Sequence, residues 1–385
     1  MHNPDITYFA ESNFRSCKKP IGIYQADRLF HTYIIGKTGT GKTTMLRNMI
    51  LQDVNNNRGM ALLDPHGDLV ESVYQSIPEY QRDRVIYINA TDLNQPYGYN
   101  PIRRVAEDKR PLLAAGILSV FEHLFKDAWG SRIEHILRYV VLTLLDQPKA
   151  SFRDIPRILN DKIYRKQCQR NIKSEDVLNF WKKEFYRYRD DALAPILSKT
   201  GAFLSYPTVK QIFVEPPKIS LSLRTLMDEG KILLINLSKG IIGEDAARII
   251  GSLFITSLGL AAFSRANIPE SERKQFMVYI DEFQNFSGGN SMDTLLSELR
   301  KYKVGLVLAH QYMDQLDTDV RNAILGNVGT LISFRLGPRD AGFVAKEFAP
   351  DFEVIDLVKL ANYSVLLKLM IGGRVSNGFS CKTLS

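Results

Sequence analysis

Short apolar runs alternate along the chain with segments in which apolar residues recur every three or four positions. The runs are typical of buried strands, and the longer period is typical of helices with one covered face. The runs that predict strands cover residues 31–35, 59–63, 85–89, 231–236, 276–280, 304–309, 330–334 and 363–368. Because helical segments separate most of them, the pattern predicts an α/β fold: a mostly parallel sheet with helices on both faces.

A central segment interrupts this alternation. The strand pattern largely stops from residue 105 to 220, and the helical spacing there covers 111–126, 131–146, 152–160 and 174–188. We therefore predict two domains, a discontinuous α/β core of residues 1–104 and 221–385 and an all-helical insertion of residues 105–220. Ligands of parallel sheets bind at the carboxyl edge, so the residues that follow the strands are the candidates for chemistry.

The first strand leads into a glycine-rich loop, Gly-Lys-Thr-Gly-Thr-Gly-Lys-Thr, and a helix predicted from Thr43 to Val54. The glycines allow backbone N–H groups to surround phosphates, while Lys42 reaches the β- and γ-phosphates and Thr43 holds Mg²⁺. The alternative is a chance match in a turn, but the strand before the loop and the helix after it favour a phosphate site. The loop residues expected to bind nucleotide are Gly36, Lys37, Thr38, Gly39, Thr40, Gly41, Lys42, Thr43 and Thr44.

Acidic and polar side chains follow other predicted strands. The strand 276–280 ends in Asp281 and Glu282, and the strand 304–309 ends in His310 and Gln311. We expect Asp281 to bind Mg²⁺ through its water shell, Glu282 to orient the attacking water, and Gln311 to sense the γ-phosphate. The alternatives are an ordinary strand-end turn for the acidic pair and a solvated turn residue for the glutamine.

The excess positive charge of the chain is concentrated in the central segment. Hydrophobic residues make up 45% and charged residues 24% of 385, which excludes disordered and collagen-like chains. Residues 101–220 hold 22 Lys and Arg against 14 Asp and Glu, which accounts for the whole net charge of +8. The basic residues and aromatics of 162–189 predict either a single-strand nucleic-acid surface or a helix with an aromatic core and a solvated charged face.

The chain also carries signs of its compartment. Cys17, Cys168 and Cys381 are far apart, which favours a reducing environment. The longest apolar stretch, 249–263, is short for a membrane span and contains Ser and Thr, so we expect a buried helix. With no secretory signal visible, we expect a cytoplasmic protein that has no membrane span and reaches a membrane, if at all, through a partner.

The motifs at residues 33–43, 63–69, 279–283 and 308–311 resemble those of the FtsK/HerA superfamily of P-loop ATPases. Within it they are most similar to the soluble ATPase part of type IV secretion coupling proteins of the TraG/TraD type. The resemblance extends over roughly residues 6–372, although the N-terminal transmembrane helices usual in coupling proteins are not seen. It implies a RecA-like core in a ring, a hexamer, with ATP and Mg²⁺ at the subunit interfaces.

The resemblance also implies roles for single residues. Asp281 and Glu282 would form the Walker B pair and Gln311 the sensor, while Arg300 would reach the ATP of the neighbouring subunit. Arg335 is a second candidate for contact with nucleotide across the interface; for both arginines the alternative is a surface salt bridge. Asp64 would position water or metal at the nucleotide, or only cap its own turn.

These expectations define one leading function and its rivals. The leading hypothesis is an ATP-hydrolysing translocase for single- or double-stranded DNA. Pore loops at 238–243 and 287–291 would hold the DNA. One rival is a ring that scaffolds or gates a secretion, relaxase-type or nuclease partner without pumping DNA. The other is a small-molecule kinase, against which the Asp281–Glu282 pair and the placement of Gln311 argue.

Overall fold

The computed structural model describes residues 3–13, 18–103, 105–124, 126, 129–286 and 291–384. Its strands are β1 (Ile6–Ser12), β2 (Pro20–Tyr24), β3 (Thr32–Ile35), β4 (Gly59–Asp64), β5 (Val85–Asn89), β6 (Tyr97–Gly98), β7 (Ile219–Ser220), β8 (Ile232–Asn236), β9 (Phe276–Ile280), β10 (Val304–His310), β11 (Thr330–Ser333), β12 (Ser364–Lys368), β13 (Met370–Ile371), β14 (Arg374–Val375) and β15 (Phe379–Thr383). All eight strands expected from the apolar runs are among them.

The helices fill the intervals between these strands and the whole central segment. They are α1 (Gln25–Arg28), α2 (Lys42–Asn55), α3 (Asp68–Ser76), α4 (Arg110–Leu124), α5 (Ser131–Leu145), α6 (Asp154–Asn160), α7 (Lys162–Gln169), α8 (Glu175–Asn179), α9 (Asp190–Ser205), α10 (Pro207–Phe213), α11 (Leu223–Glu229), α12 (Lys239–Ile242), α13 (Glu244–Phe263), α14 (Ser291–Glu298), α15 (Thr318–Asn327), α16 (Pro338–Phe348) and α17 (Val354–Lys359). From α4 to α10 the described residues form helices and the turns that connect them, and the division into two domains stays a prediction.

Eleven strands form one sheet in the order β2-β1-β15-β12-β11-β3-β10-β9-β4-β8-β5. From β11 to β5 every neighbouring pair is parallel, which confirms the mostly parallel sheet. The strands β12, β15, β1 and β2 extend it with antiparallel pairs. The central strands are buried along their whole length, because helices cover both faces, and their apolar runs made them visible in the sequence.

The two faces of the sheet have separate hydrophobic cores. On one face α2 and α3 pack their apolar side chains on β4, β8 and β9. On the other face a larger core starts at sheet residues such as Leu63, continues through Phe254 of α13 and reaches Phe121 and Trp181 in the insertion. The insertion therefore shares a continuous core with the sheet, and its exact boundaries at 105 and 220 stay a prediction.

The segment predicted as one helix over 174–188 is broken into three pieces. After α8, residues Phe180–Glu184 form a π-helical turn and Phe185–Arg187 a 3₁₀ turn. Phe180 and Trp181 are fully buried, so these two aromatics serve packing, as the core alternative stated. Tyr186 is 58% exposed beside exposed Lys182, Lys183 and Arg187, so a basic surface with one open aromatic ring remains.

The apolar stretch 249–263 lies within α13, which is buried against the sheet. Among the described residues, one helix, Glu244–Asn267, is long and apolar enough to cross a membrane, and 78% of its apolar window is buried inside the protein. Burial of this kind is typical of the central helix of an α/β fold.

A candidate nucleotide site at the carboxyl edge of the sheet

The glycine-rich loop connects β3 to α2, and its backbone requires glycine. Gly39 and Gly41 have φ angles of +75° and +116°, which side-chain-bearing residues rarely adopt. A Cβ on Gly36 would lie 2.4 Å from the Cβ of Phe334, so the loop also lacks room there. The loop therefore turns tightly under α2 and directs its N–H groups and the helix N-terminus to the same point.

Lys42 is the first residue of α2 and is 6% exposed. Its Nζ donates hydrogen bonds to the carbonyl oxygens of Gly36 (2.6 Å) and Lys37 (3.1 Å), and the third ammonium proton remains for an anion. Burial lowers the pKa of Lys42, and the carboxylates of Glu282 and Asp281 act in the opposite direction. A phosphate at this point would meet a cation that is already desolvated and aligned.

Asp281 follows β9 and lies in an acidic environment. Burial, together with the charges of Asp64 and Glu282, raises its pKa to about 7. A bound cation would relieve this cost, and the carboxylate together with the exposed hydroxyl of Thr43 offers the oxygen ligands that Mg²⁺ prefers. Within the described parts of the chain, no group of three His, Cys, Asp or Glu is arranged to hold a metal. The site therefore fits a Mg²⁺ that completes its coordination with phosphate oxygens and water.

Glu282 and Gln311 are in direct contact. Glu282 has a left-handed φ of +46° and its carboxylate accepts a hydrogen bond from the Gln311 side-chain amide. The amide oxygen of Gln311 in turn accepts a hydrogen bond of 2.8 Å from Thr38 Oγ1. The glutamine expected at the end of β10 thus connects the phosphate loop to the acidic pair.

Asp64 uses its carboxylate to cap the turn that follows β4. One carboxylate oxygen accepts from His66 N–H (2.8 Å), and the other accepts from Leu69 N–H (2.8 Å) and Val70 N–H (3.1 Å) at the start of α3. Of the two roles left open by the sequence, capping is therefore visible. The same carboxylate remains close enough to raise the pKa of Asp281, so it also contributes to the field of the site.

The two candidate arginines lie at opposite edges of the sheet. Arg335 follows β11 at the carboxyl edge, where its carbonyl oxygen accepts from Lys37 N–H (3.0 Å) and its guanidinium donates to Leu360 O (3.4 Å). It therefore borders the phosphate loop of its own chain. Arg300 precedes β10, and its guanidinium lies over the ring of Phe30, 3.4 Å from the ring centroid, at the amino edge.

The separation of Arg300 from its own site follows from the strand between them. β10 has seven residues, and its last residue, His310, is paired with Ile35 directly before the phosphate loop. A strand of this length spans about 20 Å, far more than an arginine side chain can bridge. Arg300 is consequently outside reach of a nucleotide held by the same chain.

The predicted pore loops differ in what can be described. In the loop 238–243, Ser238 has a φ of +36°, and the residues Lys239–Ile242 form the single turn α12. Ile241 at its tip is 75% exposed, and Lys239 N–H donates a 2.7 Å hydrogen bond to Pro65 O in the capped turn. Residues 287–290 of the second loop lie outside the described residues.

Two site neighbours escaped the sequence analysis. His310 was noted only as the residue before Gln311, yet it is fully buried with Nδ1 2.9 Å from the Tyr33 hydroxyl. Burial lowers its pKa to about 3, helped by Lys42 and Arg321, so the ring is neutral at pH 7. The ring of Tyr363 lies against Gly41, a contact for which no motif gives a signal because the two residues are distant in sequence.

The RecA-like P-loop NTPase fold is defined by three features of this chain: a parallel sheet of this order, a phosphate loop before α2, and an acidic pair after β9, which is separated from β3 by β10 in the sheet. A family profile described as the type IV secretion-system coupling protein DNA-binding domain matches residues 20–361. The chain belongs to this family. No curated protein is significantly similar to it in sequence.

Solved structures share the fold at low sequence identity. The plasmid coupling protein TrwB in complex with a non-hydrolysable GTP analogue has a TM-score of 0.69 and 18% identity, with 94% of this chain and 88% of that chain covered. TrwB in complex with ADP and Mg²⁺ has a TM-score of 0.69 and 17% identity, covering 97% and 89%. VirB4 of Thermoanaerobacter pseudethanolicus has a TM-score of 0.67 and 11% identity, covering 98% and 96%.

Proposed function

We propose that this chain is an ATP-hydrolysing DNA translocase that works as a ring, a hexamer, with ATP bound between subunits. The observation that carries the proposal is the division of the catalytic groups between two edges of the sheet. Thr38, Gln311 and Glu282 are joined by hydrogen bonds at the carboxyl edge, whereas Arg300 lies about 20 Å away at the amino edge. A second subunit that turns its amino edge to this site would complete it.

Each residue at the carboxyl edge has a task in phosphoryl transfer to water. The loop N–H groups and Lys42 bind the β- and γ-phosphates, and the carboxylate of Glu282 accepts a hydrogen bond from the attacking water and orients it. Thr43 and Asp281 would hold Mg²⁺, which would supply charge neutralisation at the phosphate oxygens. Gln311 and Gln284 together orient Glu282, and Gln311 reports through Thr38 on the state of the loop. Nucleotide and Mg²⁺ in the TrwB complexes, which share this fold, support the same ligands here.

Arg300 supplies the missing positive charge in trans. Its guanidinium is exposed and rests on Phe30, so it can leave this position without breaking a buried ion pair. An arginine that reaches the γ-phosphate of a neighbour stabilises the transferring group and makes hydrolysis depend on assembly. Arg335 borders the loop of its own chain, so we give it a role in cis at the edge of the nucleotide.

DNA is the proposed track because the chain belongs to a family of DNA-binding domains and carries its excess charge in one segment. Phosphate contacts by Lys and Arg supply most sequence-independent affinity for nucleic acid. The exposed basic surface at Lys182, Lys183 and Arg187 and the loop 238–243 are the proposed contacts. The loop is hydrogen-bonded to the turn of Asp64, which links it to the acidic site.

The test is ATP hydrolysis by the full chain with and without single- and double-stranded DNA, with Glu282→Gln as the inactive control. We expect DNA to stimulate hydrolysis several-fold and the variant to abolish it. Mass measurement by light scattering with ATP would show whether the active species is a ring. Hydrolysis that is indifferent to both DNAs would contradict the translocase and favour a ring that gates a relaxase-type, nuclease or secretion partner.

A further inference from the structure

Tyr363 lies at the same edge of the sheet as the phosphate loop. It directly precedes β12, which runs antiparallel to β11, so β12 begins where β11 ends. The N–H of Tyr363 donates a 2.9 Å hydrogen bond to the carbonyl oxygen of Thr40, inside the loop. Its own carbonyl oxygen accepts from Thr383 N–H at 2.8 Å. Tyr363 is thus tied by its backbone to the phosphate loop on one side and to β15 on the other.

The backbone of Tyr363 is held in an unfavourable conformation. Its φ is +64°, in the left-handed region that aromatic residues avoid and that glycine or asparagine would adopt with less strain. The two hydrogen bonds fix this conformation, and they leave the ring against the loop: a Cβ on Gly41 would lie 2.8 Å from Tyr363 Cδ1. Strained backbone that the surrounding structure maintains is concentrated at functional sites.

Tyr363 is also partly open to solvent. Tyr363 is 44% exposed, although it packs on Gly41 and lies near Phe334, which is fully buried. An aromatic ring that contacts a ligand loop and remains partly exposed is suited to stack on a planar group, since base–aromatic stacking needs only the π-face. The N–H groups of the loop would bind the phosphates, so the nucleoside would lie beside the loop.

We propose that Tyr363 is the platform on which the base of the bound nucleotide stacks. The proposal rests on the nucleotide-binding function proposed above and adds a specificity-determining residue to it. The bare Cα of Gly41 has a second purpose in this arrangement, because a side chain there would push the ring away from the loop. The competing explanation is that the ring only supports the loop, in which case it would matter equally for any phosphate ligand.

The two explanations separate when a nucleotide is compared with its phosphates alone. We would titrate the full chain by calorimetry with Mg²⁺–ADP and with Mg²⁺–tripolyphosphate, for the wild type, Tyr363→Asn and Tyr363→Phe. Asparagine tolerates the left-handed backbone and removes the ring, and phenylalanine keeps the ring as the matched control. We expect Tyr363→Asn to weaken ADP binding about tenfold and leave tripolyphosphate binding unchanged, and Tyr363→Phe to bind both as the wild type does.

Other outcomes would overturn the proposal. Equal losses for both ligands would make the ring a support of the loop, and an unchanged ADP affinity would exclude stacking. Thermal unfolding would verify the fold of each variant, and Tyr363→Gly, which relieves the backbone, replaces the asparagine variant if that one unfolds. Failure here is distinct from failure of the translocase, because stimulation by DNA is measured on the wild type and does not depend on the base.

Discussion

Gln311 donates a hydrogen bond from its side-chain amide to the carboxylate of Glu282. Glu282 follows β9 and Gln311 follows β10, and the contact forms because these two strands are parallel neighbours. The other carboxylate oxygen of Glu282 accepts a hydrogen bond from the side-chain amide of Gln284, so two amide donors hold the carboxylate. Of these two donors, Gln311 is the one that also contacts the phosphate loop at Thr38, so it links the proposed water-activating group to the loop.

We expect Gln311→Ala to lower kcat for ATP hydrolysis by about 10²-fold, the usual cost of removing one well-placed polar group from a catalytic site. The affinity for ATP should change little, because the loop N–H groups and Lys42 remain. Steady-state kinetics and calorimetric titration would separate the two. Thr38→Val, which removes only the contact on the loop side, should lose less. A wild-type kcat in Gln311→Ala would exclude the proposed role.

The position of Arg300 predicts complementation between two inactive chains. Arg300→Ala and Lys42→Ala should each abolish hydrolysis by the assembled protein, and mixing them should restore a fraction of it. In the mixture some interfaces combine an intact loop from one chain with an intact arginine from the other. Arg339→Ala, with a side chain that is 90% exposed, is the matched control and should retain activity. No recovery on mixing would argue against an arginine supplied in trans.

The raised pKa of Asp281 gives a dependence of stability on pH. The folded chain holds this proton up to about pH 7, whereas an unfolded aspartate releases it near pH 4. The contribution of Asp281 to the free energy of unfolding is therefore fully present below about pH 4 and is lost as the pH rises through 7. Asp281→Asn, which is uncharged, should raise the free energy of unfolding at pH 8 by up to about 4 kcal/mol in the absence of nucleotide, with the difference shrinking toward pH 4. A variant less stable than the wild type at pH 8 would refute this.

Asp64 should contribute to stability through its cap. Removing the carboxylate in Asp64→Ala leaves three N–H groups without their acceptor and is expected to cost about 1–3 kcal/mol. Asp64→Asn keeps one side-chain oxygen and should cost less. Chemical denaturation of both variants would measure the difference. Equal stability of Asp64→Ala and the wild type would show that the turn does not need its cap.

The basic surface of the insertion predicts a salt-dependent contact with DNA. Replacing Lys182 and Lys183 by Ala removes two exposed charges, so the slope of log K against log salt for single-stranded DNA should fall by about 1.4. Tyr186→Ala should weaken binding at every salt concentration by about 1–3 kcal/mol without changing the slope. Fluorescence anisotropy at several salt concentrations would measure both. Unchanged DNA binding in both variants would assign the DNA contacts to the predicted pore loops.

Burial explains which parts of the fold could be predicted from the sequence. The eight expected strands are apolar runs within the large sheet, whereas β1, β2 and β15 of its antiparallel part were missed. Polar residues interrupt β1 and β15, and β2 is a short run that contains Pro20 and Gly22. The helix expected over 174–188 is interrupted at Phe180, where the need to bury two adjacent aromatics overrides helical periodicity. Apolar patterns report burial and do not report local distortions of the backbone.

The residues of the candidate site could also be predicted only in part. Residues at strand ends were expected together because parallel strands share an edge, and the structure brings Lys42, Asp281, Glu282 and Gln311 to one place. The capping by Asp64 was one of two options, and only the positions of the α3 amide groups decide for it. The contact of Tyr363 with Gly41 depends on the packing of β12 beside the loop, which local sequence does not encode.

The continuous core between the insertion and the sheet has a mechanical consequence. α4 packs along α13, and the apolar side chains of both belong to the cluster that lines the sheet face. A segment attached in this way has no hinge about which to rotate, so we expect it to move with the sheet as one rigid body. In the proposed translocase, movement of DNA would then come from displacement of whole subunits against each other or from short loops such as 238–243, and not from a motion of the insertion against the sheet.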